Sequence, residues 1–470
     1  MTLPRSHSHP IAPRHGSVLI IVLWVAFGLV TLALYFASNM SLNLRASDHR
    51  VAGLQAELAI EGAMLHVSNL LAQVEAPGWP PDLFPQDCED VPVGEAHFWL
   101  LGRSDEAWWG DTPAFGLVDE ASKLNLNTAT LEMLERLTNL VLYPEVAAAI
   151  VDWRDADSEP ELNGAEDQVY LRLNPPYRCK NAPFETVEEL RMVRGVTMEL
   201  LYGEDANLNG VLDPNEDDGD ATPPRDNRDG RLQPGLWEYV TVFSRESGLN
   251  RTNVNEPESL AQLLQSQFGA ERANQILTQL SLGAGPGGPG GPGGGAPTGF
   301  TNLMEFYIRS GMTREEFDQV YPWLTTTNGV VEGLINVNTA PEPVLACIPG
   351  IDTDGAAALV AYRLGRQDRR SSLAWVVEVL GRQRALQAGP WLTARSAVYS
   401  ADVVALGRQD RGYRRVRMVF DVNDGLPQVR YRQDLTHLGW ALGPRLRQAL
   451  DEMRQIRART DAWRNPATLP

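Results

Sequence analysis

From Val18 to Ala37 the chain reads VLIIVLWVAFGLVTLALYFA, twenty residues without a charge. At about 1.5 Å of rise each, such a helix matches a hydrocarbon core of about 30 Å. No Asp, Glu, Lys or Arg occurs between Arg14 and Arg45. That gap outlasts the apolar run of about 7–15 residues in a cleavable secretory signal, so the pattern predicts a retained, single-pass membrane helix. The tail before it carries Arg5 and Arg14 and no acid, which assigns it to the cytoplasmic side. Beyond the span, Val51, Leu54, Leu58 and Leu65 fall on one helical face, with Glu57 and Glu61 between them. Pro77 and Gly78 then stop the helix. The prediction is one continuous helix over about 18–75, apolar all round at first and amphipathic later.

The rest of the chain repeats itself. Asn125-Leu-Asn127-Thr128-Ala129, Asn253-Val-Asn255-Glu256-Pro257 and Asn336-Val-Asn338-Thr339-Ala340 each precede a short apolar helical pattern. A second helical stretch follows at 146–154, 270–280 and 355–363, and a third at 184–193, 300–311 and 371–381. One order of elements met three times predicts three related helical units. The second Asn of each motif, or the Thr that follows it, is placed to cap the next helix. Strand-like stretches flank the units, at 97–102 and 115–120 before them and at 397–406, 413–422 and 427–435 after them. Asn423-Asp-Gly425 reads as the turn of a hairpin. A helix over about 444–458 closes the chain. The class is therefore α+β, an antiparallel sheet split by a large helical insertion.

Charge and composition narrow the chemistry. The 470 residues carry a formal net charge of −19, which disfavours nucleic acid and fits calcium or a basic protein partner. Three cysteines are too few for a disulfide scaffold. Cys347, in PVLACIPGI, reads as a buried free thiol, while Cys88 and Cys179, in Pro-rich loops, could pair. No Gly-x-Ser-x-Gly, no phosphate loop and no Cys with a nearby His is present, so an enzyme is not expected. Residues 283–299, GAGPGGPGGPGGGAPTG, read as a flexible linker.

The sharpest chemical motif is Asp205-Ala-Asn207-Leu-Asn209-Gly210-Val211-Leu-Asp213-Pro-Asn-Glu216. Oxygen donors stand at Asp205, Asn207, Asn209, Asp213 and Glu216, the Val211 carbonyl supplies one more, and Gly210 sits at the sharp turn of a twelve-residue calcium loop. The acidic turn after it runs into Pro223 and Pro224, so no exit helix follows and the loop reads as a calcium staple rather than a sensor. Asp220, Asp226 and Asp229 are candidates for a second ion. Ile348-Pro-Gly350-Ile351-Asp352, followed by an Ala-rich helix ending in Arg363, has the look of a helix-hairpin-helix, with Arg366, Arg369 and Arg370 close by. Two carboxylates, Asp352 and Asp354, stand where a phosphate would dock. A membrane-anchored periplasmic DNA-binding protein is accordingly the alternative reading, not the preferred one.

A basic leader, Gly16, and then GSVLIIVLWVAFGLVTLALYFA passing into an amphipathic helix resemble a type IV prepilin. With the NLNTA and NVNTA segments, they resemble in particular the minor pseudopilin K family of type II secretion systems. The resemblance covers the leader, the helix and most of 117–381. It implies cleavage between Gly16 and Ser17 by a prepilin peptidase, methylation of the new N-terminus, and an inner-membrane anchor with the bulk of the chain in the periplasm. It also implies a tip complex with other minor pseudopilins, a part in protein export with exported proteins as possible partners, and calcium held in the helical region. Ser17 departs from the apolar first residue usual among prepilins, and Ile21 stands where most pilins carry Glu; the K members lack that Glu as well. An acid within the membrane is costly unless a neighbour's amine pairs with it, so its loss fits a subunit with nothing packed above it. On this reading residues 1–16 are the leader and 17–75 the membrane and amphipathic helix. Residues 76–122 begin a pilin-like sheet, 123–395 form the insertion of SAM-like, helix-hairpin-helix-like units, and 396–470 complete the sheet and add the closing helix.

Overall fold

In the computed structural model, which describes residues 16–73, 81, 83–103, 112–138, 141, 143–219, 221–282, 299–365 and 372–464, the first element is a helix of 57 residues, α1 (Gly16–Ala72). The candidate leader 1–15, the helix stop at Pro77 and Gly78, and most of the Gly/Pro linker lie outside the described residues. Every large apolar side chain from Val18 to Leu44 is exposed, the condition of a helix whose solvent is lipid. Among the described residues α1 is the one helix long and apolar enough to cross a membrane, with a mean hydropathy of 2.7 in its most apolar stretch.

The second half of α1 packs on a sheet, but not by the face read from the sequence. Ala52, Ala56, Ala59, Ile60, Ala63, Val67 and Leu71 are buried, while Leu54, Leu58 and Leu65 are 56, 66 and 66% exposed and Val51 is also exposed. The leucine stripe is more apolar, yet the alanine stripe is narrower. Small side chains let the helix approach the sheet closely and fill the gap at the density of a protein interior. At one point the approach is so close that any side chain at Gly407 would collide with the main chain of Ala52.

Three strands precede the insertion: β1 (Val91–Val93), β2 (Ala96–Leu101) and β3 (Val118–Asp119). Inside it, each helical unit opens on a two-residue strand and closes on another that runs parallel to it. β4 (Leu124–Asn125) pairs with β5 (Val240–Thr241), β7 (Thr252–Asn253) with β8 (Leu324–Thr325), and β10 (Ile335–Asn336) with β11 (Leu392–Thr393). β6 (Arg245–Ser247) and β9 (Val330–Glu332) form a separate antiparallel pair. In every unit the first Asn turns the chain, its side-chain oxygen accepting from the amide two residues on, at 2.9, 3.0 and 3.0 Å.

The second Asn does not cap a helix. Asn127 exchanges two hydrogen bonds with the main chain of Phe184, and Asn255 does the same with Phe300, so each ties the start of its unit to the third helical stretch. Thr130 caps the helix Leu131–Arg136, and Pro341 occupies the cap position before Glu342–Leu345. The capping expectation is thereby corrected. An amide side chain that finds main-chain partners across the unit is worth more there than at a helix end it cannot reach.

The chain returns to the sheet through β12 (Val398–Gly407), β13 (Arg411–Asp421) and β14 (Gln428–Asp434). Strand order is β1-β2-β12-β13-β14, antiparallel throughout, with β3 also beside β12. The helical units thus leave after β3 and re-enter at β12, two strands that pair with each other. A final helix, Gly443–Arg464, covers the face of the sheet away from α1, where Leu450 meets Trp99, Leu101, Val404 and Leu406.

Cys88 lies in the core between α1 and the sheet, and Cys179 and Cys347 in the core of the insertion. All three are buried and free. A Cys88–Cys179 pair is therefore ruled out by position, since the two thiols belong to different cores.

Candidate cation site and the surfaces around it

The loop Asp205–Glu216 winds around its own oxygens. The amides of Asn209 and Gly210 donate to the two carboxylate oxygens of Asp205, each at 2.9 Å, and the amide of Val211 donates to Asn209 Oδ1 at 2.8 Å. Gly210 turns at φ +70°, a conformation that side chains disfavour. Glu216 reaches back across the loop and accepts from the amides of Ala206 and Asp213 at 3.0 and 2.9 Å. The side-chain Nδ2 groups of Asn207 and Asn209 both donate to Asp213 Oδ2, at 2.6 and 3.0 Å.

The charge of this loop is unusual for a buried place. Asp205, Asp213 and Glu216 are all buried, as is Asn209. Burial pushes all three carboxyls above their ordinary values, and the neighbouring Asp205 and Asp213 push Glu216 further. Arg103 opposes the effect at Asp205 without abolishing it. Three buried carboxyls, one of them pushed up further by the other two, make a place whose negative charge a hard cation would neutralise. Among the described residues no three His, Cys, Asp and Glu side chains could hold an ion by themselves, so an ion in this loop would need the Asn oxygens and the main chain as well. That mixed donor set is the one calcium takes.

The loop is also fastened to the sheet. Arg415 of β13, fully buried, makes a two-pronged pair with Asp402 of β12, at 2.9 and 2.5 Å. Its guanidinium also donates to the carbonyls of Asn207 and Leu208, at 2.5 and 2.6 Å. Arg103, just after β2, donates to the Leu208 carbonyl at 3.1 Å and to Glu238 at 2.9 Å. Asn207 donates to the Trp440 carbonyl at 3.1 Å, before the final helix. Sequence reasoning missed Arg103, Arg415 and Trp440. They lie more than 100 residues from the loop, and nothing near them in the chain points to it.

The candidates for a second ion are not drawn into this loop. Asp220 lies outside the described residues. Asp226 accepts from the amides of Asp218 and Gly219, at 3.0 and 2.6 Å, and Asp229 from the amide of Arg231 and the side chains of Asn227 and Gln233. These carboxylates organise the acidic turn that follows the loop. At the other candidate surface, Asp352 caps the Ala-rich helix through the Gly355 amide at 2.8 Å and pairs with Arg384. Arg363 donates to the carbonyls of Val337 and Ala340, as Arg154 does to those of Leu126 and Ala129. The hairpin's described arginine is thus spent on its own unit, in the same way in the first and third units. Arg366, Arg369 and Arg370 lie outside the described residues.

Residues 116–202 match the family model of type II secretion system protein K. The protein K of Klebsiella pneumoniae is 45% identical over 184 residues, 38% of this chain and 42% of that protein. Over these parts the chain is similar to type II secretion system protein K. The protein K of Aeromonas hydrophila is 28% identical over 292 residues, which cover 56% of this chain and 75% of that protein. The match to the Klebsiella relative therefore spans less than half of its length. A crystal structure of the GspK-GspI-GspJ complex from the enterotoxigenic Escherichia coli type 2 secretion system aligns at 11% identity and a TM-score of 0.40, over 83% of this chain and 99% of that one. These relatives carry no hint of the DNA-binding alternative.

Proposed function

We propose that this protein is a member of the type II secretion system protein K family, a structural, non-catalytic minor pseudopilin at the tip of a type II secretion pseudopilus, working in the export of folded proteins. The observation that carries the reading is α1, a single helix with a fully exposed apolar first half and an exposed leucine stripe, Leu54, Leu58 and Leu65, continuing beyond it. An uncovered apolar stripe on a helix already packed on its other side is a surface for further helices. Other minor pseudopilins, whose first helices share this form, fit it best. The first half would sit in the inner membrane, with residues 1–16 cytoplasmic until a prepilin peptidase cuts between Gly16 and Ser17, and the rest would lie in the periplasm. The sheet against α1 is then a pilin-like domain, and the three units closed by parallel strand pairs are copies of one SAM-like helical module. Their bulk, set between β3 and β12, leaves no room for a subunit stacked above.

Calcium belongs to the same proposal. Asp205, Asn207, Asn209, Asp213 and Glu216, with the Val211 carbonyl, would hold it, and the ion would supply the positive charge that the buried carboxylates lack. Its role is structural. Immunogold labelling of pseudopili tests the reading: gold at one end only is expected, and gold along the whole filament would overturn it.

A further inference from the structure

We infer that the Asp205–Glu216 loop is a cation-dependent clasp that holds one corner of the helical insertion against the sheet, with Arg415 and Arg103 as the catch. The inference rests on the calcium reading above and goes beyond it, from what the loop binds to what binding does.

The insertion meets the sheet at several described places, one of them Asp119 of β3, which accepts from Asn336 at 2.9 Å and from Thr339 at 2.5 Å. At a second, Arg245 pairs with Asp421, and Asn423 accepts from the Ser247 amide at 2.6 Å and donates to the Arg245 carbonyl at 3.2 Å. At another, Glu120 pairs with Arg417 at 2.9 Å, and Arg417 lies 4.3 Å over the ring of Trp237. These contacts are made by side chains on ordinary strands and turns, and no loop of acids takes part in them. The contact at the loop is different. There the sheet grips main-chain carbonyls, those of Asn207 and Leu208, on a loop whose conformation is fixed by how its own acids are satisfied.

Leu208 itself sits at φ +57°, so its carbonyl points where it does only while the loop stays wound. Asn207 is at once a candidate ligand, a donor to Asp213 and a donor to the Trp440 carbonyl. An ion drawing Asp205, Asn207, Asp213 and Glu216 together would hold both carbonyls under Arg415 and Arg103. Without it, buried Glu216 is left facing Asp205 and Asp213 with no cation between them, and the wound loop is the conformation that suffers. Arg415 would keep Asp402, but it would lose two of its four acceptors. The other contact places would still hold the insertion, so the clasp loosens one corner and does not detach the units.

Binding and docking coupled in this way must be reciprocal: if calcium tightens the corner, the corner tightens calcium. Hydrogen exchange on the detergent-solubilised full chain, with calcium and then with chelator, reads the first half. Chelation should speed exchange at 203–212 and at 436–442, and leave 245–247 and 421–423 unchanged. Titration calorimetry with calcium alone reads the second half. Arg415→Lys keeps a charge opposite Asp402 but cannot span a carboxylate and two carbonyls. It should weaken calcium binding about fivefold or more. Arg103→Lys is the second variant, with the same expectation, should Arg415→Lys not fold. If calcium binds but chelation leaves 436–442 unchanged, or binding is equally tight in the lysine variants, the clasp is wrong and the calcium site stands. If no calcium binds, both fall.

Discussion

Gly407, at the end of β12, lies against the main chain of Ala52 on α1. A Cβ on Gly407 would stand 2.7 Å from the Ala52 carbonyl carbon. Helix and sheet therefore touch backbone to backbone at this corner. Gly407→Ala must push the two apart, and overpacking of this kind costs about 1–3 kcal/mol. Thermal unfolding of the full chain in detergent should show the loss, while Gly425→Ala, which meets nothing within 4 Å, is too strained in φ to serve as the control. Ala72→Gly, at the exposed last residue of α1, is the better comparison and should change stability by less than about 1 kcal/mol.

The two stripes of α1 should separate folding from assembly. Ala59 is buried, and Ala59→Leu should destabilise the domain by about 1–3 kcal/mol through overpacking. Leu58 is 66% exposed, so Leu58→Ser should leave the melting temperature of the purified chain nearly unchanged. The same variant should reduce secretion and recovery of partner subunits with this chain. A Leu58→Ser protein that secretes normally would show that the stripe is not a helix-packing surface.

Calcium at a hundredfold excess over its dissociation constant should stabilise the chain by about 2.7 kcal/mol. A loop with no paired EF-hand belongs with the weak extracellular sites, with a dissociation constant of about 10⁻⁴–10⁻³ M. Glu216→Ala should remove most of the stabilisation. A melting temperature indifferent to both chelator and Glu216→Ala would mean that the loop holds no ion.

Glu246 links the second and third units. It pairs with Arg395 at 2.5 Å and Arg251 at 2.8 Å, and accepts from Thr393 at 2.9 Å. Burial alone would raise its pKa, but the two guanidiniums overcome that and hold it below the ordinary value of 4.5. A carboxyl depressed in the folded state gives stability that is complete above its unfolded pKa and is lost as pH falls through the folded one. Stability should therefore decline on acidification below about pH 4.5, and Glu246→Gln should flatten part of that decline. Breaking a buried pair at neutral pH costs about 3–5 kcal/mol, so the variant should also unfold earlier in urea.

Burial pushes the thiols of Cys88, Cys179 and Cys347 up to about 11, 12 and 12. The thiolate is the reactive form, so alkylation at pH 8 should be slow in the native chain. Under denaturing, non-reducing conditions all three should label, and recovery of only one would contradict the separate cores.

Much was written in local patterns. The uncharged run from Val18 needed no partner to be read, because the length of an apolar helix is set by the chain alone. The three Asn-x-Asn motifs announced three units, and the loop from Asp205 to Glu216 carried its donors within twelve residues. Each of these is a short-range fact. What the tertiary structure decided was which face of α1 is covered. Leu54 and Leu58 outrank Ala56 and Ala59 in hydropathy, but only the alanines allow the close contact that Gly407 makes possible. It also decided the work of the second Asn, which binds Phe184 or Phe300 rather than a helix end, and the separation of Cys88 from Cys179. The parallel closure of each unit, Asn125 beside Thr241 and Asn336 beside Thr393, joins residues with no shared local pattern. The grip of Arg415 on the Leu208 carbonyl belongs here too. Period and spacing describe neighbours along the chain, whereas these contacts depend on shape and on partners brought together from across the fold, which only folding supplies.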